Sequence, residues 1–66
     1  MYRILRGEMV KANFSVASLA KEIGVSEKTL RNKLNGDTDF TFPEATTIRG
    51  IVNPKMSLEE LFERDE

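Results

Sequence analysis

The chain has 66 residues with no cysteine and no histidine; 39% of them are apolar and 32% charged. A chain of that size forms one small domain that buries roughly 60% of its unfolded surface, and it has neither disulfides to staple it nor the common zinc ligands. Its net charge of −1 argues against a protein that coats nucleic acid in bulk.

The charge is unevenly spread. Residues 1–36 carry seven basic and three acidic side chains, a balance of +4, while residues 37–66 carry three basic and eight acidic ones, a balance of −5. That asymmetry suits a basic face offered to phosphates with an acidic remote end; the plainer alternative is that the acids solvate the last helices. No apolar run approaches the ~20 residues of a membrane span, and Met1-Tyr2-Arg3-Ile4-Leu5-Arg6 lacks the apolar core of a signal peptide. No membrane partner is expected, and the expected location is cytoplasmic.

The first helix is predicted over about 2–12, where Ile4, Leu5 and Met9 share one face with Glu8 and Ala12 near its edge. It lacks the capping signal that announces the next four. In each of those a polar N-cap follows an apolar residue and precedes another by four positions: Phe14-Ser15…Leu19, Val25-Ser26…Leu30, Phe40-Thr41…Ala45 and Met56-Ser57…Leu61. The cap oxygen accepts from an unpaired first-turn amide, and the apolar pair clamps the angle at which the chain joins the helix. Thr41 with Glu44 and Ser57 with Glu60 have the spacing of a capping box. Pro43 occupies a first turn, where a missing N–H does no harm.

These signals predict helices over 16–23, 27–34, 42–51 and 58–63, with Asn53-Pro54 breaking the chain between the last two. No segment alternates with period two, so the expected fold is all-α, a compact five-helix bundle forming one domain over 1–66. The last helix is too short to stand alone; Met56, Leu58, Leu61 and Phe62 must hold it against the body or a partner. The ending Glu63-Arg64-Asp65-Glu66 reads as charged and unstructured.

Residues 15–36 carry the functional signal. A helix, a tight turn at Gly24 and a second helix ending at Asn35-Gly36 follow one another. Small Ala20 lies four residues before the glycine, and Val25 and Leu30 follow at the spacing that locks two short helices at a steep angle. This is the pattern of a helix-turn-helix over about 16–35, whose second helix enters the DNA major groove.

With Leu30 and Leu34 on the core face, a step of ~100° per residue puts Lys28 and Asn32 nearly opposite. Thr29 falls beside them, and Arg31 and Lys33 toward the edges. Lys28 can donate to guanine O6/N7, Asn32 can bond adenine N6/N7, and the Thr29 methyl can meet a thymine methyl. Arg31 and Lys33 are placed to reach phosphates, as are Ser15, the amides opening helix 16–23, and the amides of Asn35 and Gly36. Glu27 either favours the helix dipole at the expense of DNA affinity or accepts from a cytosine amino group. The plain alternative is that such residues form the solvated face of any surface helix.

The stretch from Tyr2 to about Phe62 resembles the phage-repressor-type helix-turn-helix family (lambda-repressor-like, Cro/CI or XRE), in the short form carried by prophages of Gram-positive bacteria. The motif that carries the resemblance is Leu19-Ala20-x-x-Ile23-Gly24-Val25-Ser26-x-x-Thr29-Leu30, followed by Asn32-Lys33-Leu34-Asn35-Gly36. It implies a sequence-specific transcriptional regulator of double-stranded DNA whose base-reading positions are Ser26, Glu27, Lys28, Thr29 and Asn32. It further implies a homodimer, through residues 52–63, that spans half-sites about one helical turn (~34 Å) apart. Three positions depart from the family pattern. Val16 stands where Gln often contacts a phosphate, Asp37-Thr38-Asp39 where the loop is often basic, and Lys33-Leu34 reverses an apolar–acidic order.

No enzyme, cofactor or small-molecule ligand is expected. Asp37 and Asp39 lie in a loop, and Glu59 and Glu60 on an exposed terminal turn, so neither pair is desolvated enough for tuned acid–base chemistry. Asn35-Gly36-Asp37-Thr38-Asp39 has the wrong order and length for a calcium loop. The weightier alternative is a protein-interaction domain of the same fold (antirepressor, antitoxin or adaptor) docking through its acidic half. A docking face on 27–34 would carry an aromatic or Met anchor; it carries Lys28, Arg31 and Asn32. Tyr2 and the four phenylalanines read as cap or core residues, which leaves no stacking platform for single strands.

Overall fold

A computed structural model describes residues 1–64; Asp65 and Glu66, half of the charged ending, lie outside the described residues. Five helices follow in order: α1 (Arg3–Lys11), α2 (Val16–Ile23), α3 (Glu27–Leu34), α4 (Phe42–Val52) and α5 (Leu58–Leu61). No strand forms among the described residues, so the chain is all-helical, as its capping pattern predicts. The bounds of α2 and α3 agree with the expected ones. Helix α5 stops two residues early, where Phe62 leaves helical dihedrals (φ −101°, ψ 22°) and packs onto the core.

Every expected N-cap accepts its first-turn amide. Ser15 Oγ takes the N–H of Ser18 at 3.0 Å, Ser26 Oγ that of Thr29 at 3.0 Å, Thr41 Oγ1 that of Glu44 at 3.3 Å and Ser57 Oγ that of Glu60 at 3.1 Å. The capping boxes are redistributed. Thr41 N–H donates to Glu44 Oε1 at 2.9 Å and closes one box as expected. At Ser57 the Glu60 carboxylate reaches only the hydroxyl, at 3.5 Å, and no box closes. A box not foreseen forms instead at Ser15, whose N–H donates to Ser18 Oγ at 2.9 Å.

Helices α1, α2 and α3 end alike, each on one residue in the left-handed region: Asn13 (φ +63°), Gly24 (φ +79°) and Gly36 (φ +86°). In each case the following N–H reaches back to a carbonyl five residues earlier, from Phe14 to Met9 at 2.8 Å, Val25 to Ala20 at 3.0 Å and Asp37 to Asn32 at 2.9 Å. This closure satisfies carbonyls that a helix end leaves unpaired.

The core takes at least one fully buried aliphatic side chain from every helix: Leu5, Leu19, Leu30, Leu34, Ile48 and Leu61. Helix α2 packs against α3 and α4, and α1, α4 and α5 pack against one another. Tyr2, Phe40 and Phe62 meet edge-to-face, with centroids 5.1–6.1 Å apart, and tie the start of α1 to the α3–α4 loop and the chain's end. Glu8, expected near an edge, is buried; its carboxylate accepts from Asn53 Nδ2 at 3.1 Å and pairs with Lys11 at 3.2 Å. Arg49 Nη1 donates to the carbonyls of Pro54 at 2.7 Å and Met56 at 3.3 Å, which holds the α4–α5 connection.

The stretch 52–63 directs its apolar groups inward. Val52 and Leu61 are buried, and Met56 and Phe62 pack on the same core. Its exposed residues are Pro54, Lys55, Ser57, Glu59, Glu60 and Glu63, with Met56, Leu58 and Phe62 half-buried. No helix among the described residues is long and apolar enough to cross a membrane.

Candidate nucleic-acid interface

Helix α3 is anchored by Leu30 and Leu34, both fully buried, and joined to α2 by only Gly24, Val25 and Ser26. With the leucines inside, the 3.6-residue period turns the other side of α3 outward. Lys28 and Thr29 are exposed there and Asn32 is half-buried. Residues 28, 32 and 35 fall on one row of the helix, about 10 Å long at 1.5 Å per residue. The Lys28 ammonium has no ion-pair partner among the described residues.

The other expected base readers are occupied. Ser26 Oγ, besides capping the helix, donates to Thr29 Oγ1 at 2.8 Å, which leaves the Thr29 methyl group and its own hydroxyl proton for a partner. Glu27 pairs with Arg31 one turn later, and both side chains remain about half exposed (48% and 52%). An exposed i,i+4 pair of this kind contributes about 0.3–0.5 kcal/mol, little enough for a phosphate to displace.

Four of the expected phosphate contacts are engaged within the chain. Lys33 is buried at 9% exposure, and its ammonium donates to the Asp39 carbonyl at 2.9 Å and lies 3.0 Å from Glu44 Oε1. Position 33 lies at the edge of the core face, about 80° from its centre at ~100° per residue; the Asp39 carbonyl and Glu44 lie on that side, so the aliphatic stem buries while the charged head reaches the cap of α4. Lys33 therefore holds α3 to α4 and is withdrawn from the exposed surface of α3. The amides of Asn35 and Gly36 already donate, to the carbonyls of Arg31 at 3.0 Å and Lys33 at 3.1 Å. The hydroxyl and N–H of Ser15 are both engaged in the Ser18 box.

Glu44 at the α4 cap is held below the usual carboxylate range. The Thr41 backbone N–H is the largest cause, and Lys33 adds to it against the opposing effect of burial.

The fold also brings together residues that no local sequence signal joins. Arg6 Nη2 of α1 donates to Asn35 Oδ1 at 3.0 Å, at the very end of α3. Arg64 stands over the Tyr2 ring, 5.7 Å from its centroid, and 3.8 Å from Asp39. Phe42, expected at a cap or core position, is the first residue of α4 and is 73% exposed. Its neighbours explain this: the apolar member of the cap at Thr41 is Phe40, which packs on the core, and Phe42 falls on the opposite side of the turn. Comparison with protein-family models, with curated proteins and with solved structures finds no match.

Proposed function

We propose that the chain is a helix-turn-helix protein of the phage-repressor type that binds duplex DNA by laying α3 in the major groove. It would regulate transcription by occupying its site, where it blocks or recruits polymerase. The observation that carries this reading is the outward row of exposed Lys28 and half-buried Asn32 with exposed Thr29 beside it, backed by the buried Leu30 and Leu34. The row offers an ammonium, a carboxamide and a methyl group, the three chemistries that discriminate base edges in that groove.

The charge inventory makes one copy a weak binder. Lys33 is neutralised by Glu44, and Arg31 must first leave Glu27. Each phosphate contact adds about 0.9 to the slope of affinity against salt, so few contacts mean low affinity. Two copies on half-sites ~34 Å apart would remedy that. The polar exposed surface of 52–63 does not support the contact between copies there.

The test is a selection from a random duplex library, run beside the Lys28→Ala/Asn32→Ala variant. Enrichment of a palindromic or near-palindromic site, lost in the double variant, supports a dimeric base-reading regulator. No enrichment at low salt rejects it and favours the second reading, a protein-interaction domain. One observation speaks for that alternative: Phe42 is an exposed aromatic of the kind that anchors protein interfaces.

A further inference from the structure

We infer that Arg6, on α1, is a phosphate-contacting residue that extends the DNA-binding row of α3 beyond its C-terminal end; this rests on the DNA reading above. Residues 28, 32 and 35 share one row of α3, and Asn35 closes it. The Asn35 carboxamide oxygen accepts from Arg6 Nη2 at 3.0 Å, which fixes a guanidinium at the end of the row that Lys28 opens. Arg6 is exposed and has no carboxylate partner among the described residues. The other guanidinium near this turn, Arg64, is committed to Asp39 and to the Tyr2 ring. One hydrogen bond uses one of five N–H donors, so Arg6 keeps its charge and the planar edge that matches a phosphate.

The spacing fits the ligand. A recognition helix meets base edges with its N-terminal residues, so with Lys28 on a base edge the far end of the ~10 Å row is carried toward the backbone that walls the ~12 Å groove. The acidic loop Asp37-Thr38-Asp39 and the inward Lys33 remove the other candidates for a backbone contact at this end. Arg6 supplies that contact from a different helix.

The experiment is fluorescence anisotropy with two labelled duplexes, the one most enriched by the wild-type chain and a scrambled one of equal length, from about 50 to about 200 mM salt. Arg6→Gln is expected to lower affinity on both duplexes by the same factor and to reduce the salt slope by about 0.9; Arg6→Lys should restore most of the slope. Thermal melts of each variant by circular dichroism accompany the titrations. An unchanged slope in Arg6→Gln, with or without a lower melting midpoint, would overturn the inference and leave Arg6 as a helix-end contact. If the wild-type chain binds neither duplex, the DNA reading itself fails and the inference falls with it. Should Arg6→Gln unfold, an unaltered slope in Asn35→Asp, which sets a neutralising carboxylate against Arg6, would overturn the inference equally.

Discussion

Lys33 and Glu44 meet 3.0 Å apart, although one closes α3 and the other opens α4. The same oxygen, Glu44 Oε1, accepts the Thr41 N–H at 2.9 Å, and the same ammonium donates to the Asp39 carbonyl at 2.9 Å. One short network thus caps α4, ties down the acidic loop and fixes the last turn of α3 from behind. The lysine that sequence reading gives to DNA serves the rigidity of the helix that would carry the base readers.

A consequence follows in acid. Because the Thr41 amide and Lys33 hold the Glu44 carboxyl below its ordinary value, ionised Glu44 contributes stability that is complete above the unfolded value. That stability is lost as pH falls through the lower folded one. Urea midpoints of the wild type should therefore decline as pH falls through and below the ordinary carboxylate range. Glu44→Gln should start lower at neutral pH and decline less. Parallel declines in the two proteins would detach this carboxylate from the acid transition.

Lys33 also gives a test that separates structure from binding. Lys33→Met keeps the buried stem and removes the charge, so it should leave the salt slope of duplex binding unchanged while weakening the α3–α4 tie. Arg31→Gln, at an expected phosphate contact, should reduce the slope by about 0.9, the share of one phosphate-type cation. Anisotropy titrations at several salt concentrations compare the two directly. A lower slope in Lys33→Met would return that lysine to the phosphate surface.

Most of the fold was legible because N-caps are local. A serine or threonine with flanking apolar residues needs nothing from the rest of the chain, and all four such starts form. Reading α3 by angle located Leu30 and Leu34 in the core and Lys28 and Thr29 outside. It failed at Lys33, since a long aliphatic stem can bury while its head stays hydrated or paired, and charge type alone does not reveal that. Arg6 beside Asn35 was invisible for another reason: 29 residues separate them, and no periodicity links an outward arginine of one helix to the cap of another. The inward turn of 52–63 was likewise undecided by sequence, because an apolar stripe does not say whether its partner is the same chain or a second copy.

Leu30 is fully buried and lies on the opposite side of α3 from the proposed base readers. Leu30→Ala should cost about 2–5 kcal/mol, a large share of the ~5–15 kcal/mol that stabilises small domains. Thermal denaturation followed by circular dichroism should show a largely unfolded or broadly melting protein at 25 °C or slightly above. A cooperative transition near the wild-type midpoint would contradict the assignment of this leucine to the core.

Asn13 ends α1 in the left-handed region (φ +63°) where glycine serves α2 and α3. A side chain there costs about 1–2 kcal/mol unless it is asparagine or aspartate, which tolerate the geometry better. Asn13→Val should accordingly lose about 1–2 kcal/mol, with a fall in melting midpoint of about 4–8 °C per kcal/mol. Asn13→Gly should equal or slightly exceed the wild type, since the gain in backbone freedom at this angle opposes the entropy that glycine adds to the unfolded chain. Equal melting of the wild type and the Val variant would mean that α1 does not close on Asn13 in solution.

Glu27 decides between two chemistries at the start of α3. Its carboxylate sits in the first turn, where it favours the helix dipole by about 0.3–1 kcal/mol, and it holds Arg31 through a half-exposed pair. In the dipole reading Glu27→Gln removes a negative charge facing phosphates and releases Arg31. Duplex affinity should rise and the salt slope steepen by up to about 0.9, while the melting midpoint drops slightly. In the base-reading alternative the carboxylate accepts from a cytosine amino group. The same variant would then bind the selected duplex less tightly, by about 1–3 kcal/mol, with preference relaxed at one base pair. Anisotropy on the selected duplex and on a single-base-pair variant of it distinguishes the two by the sign of the change.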